Sequence, residues 1–364
     1  MIHLDSETQR KIKVPYALRR VPAECLSTVL PLPLKINAGD IALAEVETIG
    51  KNNRLELTSG RNAMLHVGDR IAVVFGNRYA TQQFEGYAGK TSKGCDLMSI
   101  GGLCGQVKSK HAGVSGPTKL RLLGLLGDSV GYPSSLRHFP VEPTYDGPRP
   151  RVVVVCGSAM DSGKTHAAMS LVIGLKKTHE VAGVKLTGTA AGKDTWHQLD
   201  AGACVALNHV DGGFESTYMC SLDELLDLNH RLVAEAAAHG AEWVVMEIAD
   251  GLFERETAAL LQSHCFTSTV DAWIFSAGDP LAVHGGVGIM HGWGLKPVAV
   301  SGLVSMSPLG IQEAEAATGL RCLTAQELQA GVLNDTLLSL PRAMVPHGGR
   351  VECDDSPRHE LLAV

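Results

Sequence analysis

The residues best suited to chemistry lie in "VVVVCGSAMDSGKTHAAM", Val152 to Met169. An apolar run ends at Gly157, a loop closes on Gly163, Lys164 and Thr165, and small and apolar residues follow at helical spacing. A glycine at the end of a strand turns the chain tightly, a second glycine lets the backbone approach an anion, and "SAMDS" between them can turn its N–H groups inward. Lys164 then falls at a helix N-terminus, where its charge adds to the helix dipole and reaches the β- and γ-phosphates of a nucleotide. Thr165 offers a hydroxyl to magnesium. The usual spacing G-x4-G-K-[ST] is not met, because Ser158 holds the place of the first glycine and the loop is one residue longer.

Carboxylates form the second group. Glu247 and Asp250 close the run "VVMEIADG", at the end of a strand where ligands collect in open α/β sheets. A carboxylate buried there needs a cation, which makes Glu247 a candidate ligand of Mg2+ or of its water. Asp194 is a further candidate, and Asp200 in the same segment could take its role. Asp161 either orients a substrate or a partner across an interface or is a solvated loop acid. In "SAGDPLAVHGGVGIMHGWG", Asp279, His284 and His291 sit among six glycines. The two histidines, seven apart, would share a helix face. No Cys, Asp or third His is spaced to complete a zinc site, so a loop and helix start near substrate is expected instead. Arg255 in "ERET" is an anion contact or part of a solvated helix start.

These residues need a scaffold, and the chain after Arg151 supplies one. "RVVVVCG", "EVAGVKLTG", "AEWVVMEIADG", "VDAWIFSAG" and "KPVAVSGLVS" are near-continuous apolar strands, as expected where helices cover both faces of a parallel sheet. "KTHAAMSLVIGLKK" is predicted to be a helix with Ala167, Leu171, Val172 and Leu175 on one side. From Thr28 to Gly127 short strands are broken by turns ("LPLKI", "IALAEVETIG", "RLELTSG", "HVGDRIAVVFG", "KLRLLGLLG"), which argues for a β-barrel or β-sandwich. There "FGNRYATQQFEG" reads either as a ligand or partner contact or as an exposed hairpin. The segment from Gly131 to Arg151 holds five prolines and reads as a linker. The expected fold class is α/β: a P-loop domain with a mostly parallel sheet flanked by helices, preceded by a smaller β-rich domain. Expected boundaries are 1–130 for the β-rich domain, 131–150 for the linker, 151–345 for the nucleotide-binding domain and 346–364 for a polar tail.

Composition narrows the partners. The 364 residues are enough for two cores, and a net charge of −6 gives no broad basic surface for nucleic acid. No apolar run reaches the ~20 residues that span a bilayer, and the N-terminus lacks the apolar core of a signal peptide. A cytoplasmic protein with no membrane partner is expected. The nine cysteines form no C-x-x-C pair, so reduced, mostly buried thiols are expected, with Cys156 and Cys204 inside apolar runs.

The longer loop carries a family resemblance. "GSAMDSGKT" is similar to the phosphate loop of dethiobiotin synthetase and its relatives, which hold an acidic residue where Asp161 stands. "GVKLTGTAAGKD" resembles that family's second strand, ending in a substrate-facing lysine before a metal-binding aspartate. "VVMEIADG" resembles its strand ending in a metal-binding glutamate, and "KPVAVSGLVSMSPLG" the strand and loop that pack on the nucleobase. "GKDTWHQLDAGA" also resembles a stretch of MobB, the molybdopterin-guanine dinucleotide biosynthesis adaptor. The resemblance covers Arg151 to Leu323.

It implies ATP and Mg2+ as cofactors. Gly157, Asp161, Ser162, Gly163, Lys164, Thr165, His166, Ser301 and Ser305 would bind the nucleotide, with Thr165, Asp194 and Glu247 as metal ligands. Lys164, Lys185 and Glu247 would be catalytic, Lys185 holding an acidic substrate or the transferring phosphoryl group. The family also suggests a homodimer. Departures are Leu-Thr-Gly after Lys185, where the family has Pro-x-x-Ser-Gly, and Ile-Ala-Asp-Gly after Glu247 in place of a glycine-rich turn. They argue against the biotin precursor as substrate.

The expected function is a Mg-ATP-dependent ligase of the dethiobiotin synthetase-like type that activates a small carboxylate or related oxyanion by phosphorylation, with a different substrate. A small-molecule kinase, or a nucleotide-dependent switch or adaptor acting on a protein, is the alternative. A GTPase is disfavoured because no Asn-Lys-x-Asp segment follows the late strands; "NHVD" at Asn208 is incomplete and precedes Glu247.

Overall fold

Six strands form one all-parallel sheet in the order Val205–Asn208, Val181–Lys185, Trp243–Glu247, Arg151–Gly157, Ala272–Ser276, Ala299–Ser301. The computed structural model describes residues 1–343 except 93, 143, 144 and 146; the expected polar tail lies outside the described residues. In the central strand, Val152, Val154 and Cys156 pack into one apolar cluster and Val153 and Val155 into another. Both faces of the sheet are therefore buried, which is why the run shows no polar alternation. The chain moves outward from this strand on one side, returns to pair beside it, then continues on the other side. Such a reversal opens a crevice at the C-terminal strand ends, where Gly157, Lys185, Glu247, Ser276 and Ser301 all lie.

The helix after the phosphate loop spans Lys164–Leu175 and buries Ala167, Leu171, Val172 and Leu175 as expected. It also buries Ala168, Ser170 and Gly174, because the short helix Ala325–Ala330 packs on its other side; Leu328 O would lie 2.1 Å from a Cβ on Gly174. One sheet strand escaped the sequence reading. Val205–Asn208 has four residues, two of them half-buried, so it shows neither a long apolar run nor a clean alternation. Cys156 is buried as expected, whereas Cys204, just before this edge strand, is exposed.

The N-terminal region is β-rich, and its strand pairings close a ring. Thr118–Gly127 pairs with Ile41–Thr48, which pairs with Arg70–Phe75, then Leu103–Lys110, then Cys95–Leu97, which pairs again with Thr118–Gly127. This is a small barrel. "LPLKI" is not a strand: Leu34 is fully exposed and the prolines around it deny the ladder its donors. Between barrel and sheet, Leu136 and Val141 are buried and Asp40 bridges Ser135, so this proline-rich segment packs over much of its described length.

Barrel and sheet share a core in which Tyr16, Ile41 and Leu126 cluster with Ala190 and Val210. Polar contacts fix the junction. Tyr16 Oη lies 2.8 Å from Thr195 Oγ1 and accepts from Asn208 Nδ2 at 3.0 Å, and Arg19 donates to Asp211 Oδ2 at 2.6 Å. Glu56, at the end of the strand Arg54–Glu56 that pairs with Asn62–Met64 in a separate hairpin, accepts from Gly192 N and from Trp196 Nε1, both at 2.8 Å, and so grips the first turn of the helix Lys193–Asp200. Glu56→Ala is expected to destabilise the chain by about 1–3 kcal/mol per donor left unpaired. A urea midpoint equal to wild type would contradict this junction.

Candidate functional site

The phosphate loop is built as its glycines require. A Cβ on Gly157 would fall 2.5 Å from Ser162 Oγ and 2.9 Å from Lys164 Cγ, and one on Gly163 would fall 2.8 Å from Gly302 Cα. Gly163 also has φ +92°, open to glycine at little cost. Asp161, exposed, adopts φ +60° with a side chain directed to solvent. Lys164 Nζ donates to Ala159 O at 2.6 Å and to Asp250 O at 2.7 Å, curling across the loop. Burial lowers its pKa, with Glu247 opposing.

Beside the loop the carboxylates converge. Thr165 Oγ1 lies 3.0 Å from Glu247 Oε1 and 3.3 Å from Asp194 Oδ1. Lys185 Nζ is bonded to Asp194 Oδ2 and lies 3.3 Å from Glu247 Oε1. Lys185 and Glu247 are register partners on adjacent strands, so strand pairing alone brings them together. Burial works against the Lys185 ammonium, but Glu247 and Asp194 outweigh it and raise its pKa. Asp194 keeps a lowered pKa because Lys185 overcomes the opposing effect of burial. Of the two aspartates in "GKDTWHQLD", Asp194 therefore enters the site. Asp200 is exposed at the far end of the same helix, about 9 Å along its axis at 1.5 Å per residue.

The donor set fits Mg2+ and phosphate. Thr165, Asp194 and Glu247 offer hard oxygens, and Glu247 Oε2, although buried, has no hydrogen-bond partner among the described residues. Ser162 Oγ, inside the loop, is likewise buried and unpartnered. The N-terminus of a twelve-residue helix faces the same hollow, and its first-turn N–H groups suit an anion.

Other expected residues have different surroundings. His166 is exposed. Ser301 Oγ donates to Leu323 O and Ser305 Oγ to Gly302 O, both at 2.8 Å, so these hydroxyls serve the backbone. Their loop still borders the phosphate loop, with Leu303 N donating to Ser162 O at 3.2 Å. Asp279 caps the helix Pro280–Gly292, and His284 and His291 on it are exposed. No group of three His, Cys, Asp or Glu that could hold a metal exists among the described residues. Arg255 is exposed at a helix start. In "NHVD", Asn208 and Asp211 both accept from Arg19 and belong to the junction.

A cleft adjoining the loop was not foreseen. Tyr79 of the barrel, Thr189, Thr217, Tyr218, Asp250 and Glu254 line it. Burial pushes the Asp250 carboxyl up to about 6, with Glu254 adding repulsion. Behind Gly188, His209 is buried with both ring nitrogens unpartnered among the described residues, and burial drives its pKa down to about 3, so the ring is neutral. The polar stretch "GNRYA" was the only sequence signal for this wall.

Glu215 underlies the same loop cluster. Its Oε2 has no hydrogen-bond partner among the described residues and only a long ion pair with Arg137 Nε at 3.7 Å, and burial raises its carboxyl from 4.5 to about 7 against the pull of Arg137. The folded chain thus holds more protons than the unfolded one between these values, and this group's contribution to stability falls as pH rises from 4.5 to about 7. Glu215→Gln is expected to flatten that part of the stability profile. Equal slopes in wild type and variant, read from denaturant midpoints across this range, would contradict it.

Similar chain courses occur in three solved structures. The signal recognition particle 54 kDa protein from Aeropyrum pernix in complex with GDP is 17% identical with a TM-score of 0.35, over 54% of this chain and 50% of that one. The signal recognition particle receptor FtsY from Elizabethkingia anophelis is 13% identical with a TM-score of 0.35, over 54% and 68%. A DUF1611 family protein from Anabaena variabilis is 15% identical with a TM-score of 0.37, over 56% and 63%. The match thus spans about half the length of the first of these. No protein-family model and no curated protein sequence matches the chain. No helix among the described residues is long and apolar enough to cross a membrane.

Proposed function

We propose that the chain is a Mg-ATP-dependent enzyme that activates a small carboxylate by phosphoryl transfer and joins it to a nucleophile. The observation that carries this reading is the meeting of Thr165, Asp194, Glu247 and Lys185 beside the Lys164 loop, at the ends of adjacent parallel strands. Lys164, Ser162 and the helix N-terminus would hold phosphates, and Thr165, Asp194 and Glu247 would hold Mg2+. Bound Mg-ATP supplies the phosphoryl group and neutralises its charge. The chain's own part is electrostatic and positional. Lys164 and Lys185 place two positive charges where negative charge develops, and Glu56 and Tyr16 of the N-terminal region hold Gly192 and Thr195, on either side of the turn that carries Asp194. Because the oxygens suited to Mg2+ also hold the Lys185 ammonium, the two cations compete for them.

A small-molecule kinase is the second reading. Asp250 favours it, since it lies in the cleft next to the loop and is suited to take a proton from an acceptor hydroxyl. Either way, ATP is preferred to GTP because Asn208 and Asp211 are bound to Arg19 and cannot read a guanine. The test is ATP turnover with Mg2+ against a panel of small carboxylates, amines and alcohols, scoring ADP, phosphate and mass-shifted products. A condensed product that requires one acid supports the ligase, and a stable phosphorylated product supports the kinase. Slow hydrolysis indifferent to every small molecule would overturn both in favour of a switch acting on a protein partner.

A further inference from the structure

The Lys185 ammonium is held by Asp194 and Glu247, the same carboxylates that suit Mg2+. A metal on those oxygens would leave the ammonium, in its largely enclosed position, without its present partners. Such an uncompensated charge is costly, and a polar group that no other contact uses lies close by.

That group is His209. It is 1% exposed, and neither ring nitrogen has a hydrogen-bond partner among the described residues. Burial draws its pKa down to about 3, with the Lys185 charge adding to the effect. The ring is therefore neutral, and a neutral imidazole carries one N–H and one acceptor nitrogen. Buried polar atoms left unpaired in one state call for a partner in another.

The backbone brings the two side chains together. Lys185 is the register partner of Asn208 on the neighbouring strand, His209 is the next residue, and His209 N donates to Lys185 O at 3.2 Å. Gly188 keeps the space between the side chains open. A Cβ there would lie 3.3 Å from Lys185 Cε and 3.7 Å from His209 Cε1, so both atoms border one gap, and a φ of +138° reserves the position for glycine. Cε1 is bonded to both ring nitrogens and Cε to the ammonium nitrogen. A change of the terminal Lys185 rotamer thus turns Nζ from the carboxylates towards the ring.

Resting on the proposed function, we infer that His209 is a positioning residue for Lys185: its acceptor nitrogen receives the ammonium when Asp194 and Glu247 take Mg2+. The lysine then keeps its charge beside the phosphates without competing with the metal, through a charge-assisted hydrogen bond.

The test follows the His209 ring by nitrogen NMR in the full chain, its signal identified by its loss in His209→Gln, or in His209→Asn should the first variant not fold. Metal-free ADP is expected to leave the signal in place. Mg-ADP is expected to shift the acceptor nitrogen upfield, and Lys185→Met to abolish that shift. Calorimetric ADP affinity with and without Mg2+ gives a second readout. His209→Phe is expected to lose at least about tenfold of the gain that Mg2+ brings, His209→Gln to recover part of it, and both to bind metal-free ADP as wild type does. A ring signal unmoved by Mg-ADP, or moved equally in Lys185→Met, would overturn the inference and leave the nucleotide reading standing. So would an affinity loss in His209→Phe that is the same with and without the metal, the mark of a purely structural role. Wild type that binds no ADP would overturn the nucleotide reading and this inference together.

Discussion

Lys164→Ala is expected to weaken ATP binding and turnover by at least about a hundredfold while leaving the fold intact. Two or more charge-assisted hydrogen bonds to phosphate oxygens would be lost, each roughly twice as strong as a neutral one, and each 1.4 kcal/mol is tenfold in affinity. The effect on stability is smaller and separable. Among the described residues Lys164 Nζ bonds two backbone carbonyls, Ala159 O and Asp250 O, and no carboxylate directly. Removing it leaves those acceptors to water at a cost of about 1–3 kcal/mol. Equal ATP affinity in wild type and variant, measured by fluorescence titration on chains that unfold at comparable urea concentrations, would sink the assignment.

Glu247→Ala has the largest expected effect on stability, about 3–5 kcal/mol. Glu247 is 2% exposed at the C-terminal end of its strand, and its Oε1 serves both Thr165 and Lys185. Without it the buried Lys185 ammonium keeps Asp194 alone. Because the cost comes from an uncompensated charge, it should be strongly non-additive: in Glu247→Ala with Lys185→Met, the combined loss is expected to fall well short of the sum of the two single losses. Additive urea midpoints would show that the pair is not coupled. The same Glu247 variant is expected to lose its response to Mg2+ in nucleotide binding, which no purely structural role requires.

The sheet was legible because its strands are buried on both faces, which leaves an apolar run such as Arg151–Gly157 without ambiguity. The convergence of Lys185 with Glu247 follows from strand register, yet register cannot be read from either run alone. Asp194 against Asp200 could not be decided from letters, since both lie on one short helix; the grip of Glu56 and Tyr16 on its first turn decides it. Turn spacing left a barrel or a sandwich open, and the ring is closed by Cys95–Leu97, three residues with no signature of their own. Tyr79 and His209 were beyond reach for a related reason. Tyr79 meets Tyr218, 139 positions away, and the only local signal for that wall was polarity in "GNRYA"; nothing in the letters around His209 shows that both its ring nitrogens are buried.

Isothermal titration of wild type with ATP, once with Mg2+ and once with a chelator, tests the central claim most directly. Saturable binding at one site per chain, tightened by Mg2+ and abolished in Lys164→Ala, is the expected result. Heats indistinguishable from dilution under both conditions, from a chain whose cooperative unfolding shows it to be folded, would contradict the claim that this loop holds a metal-nucleotide.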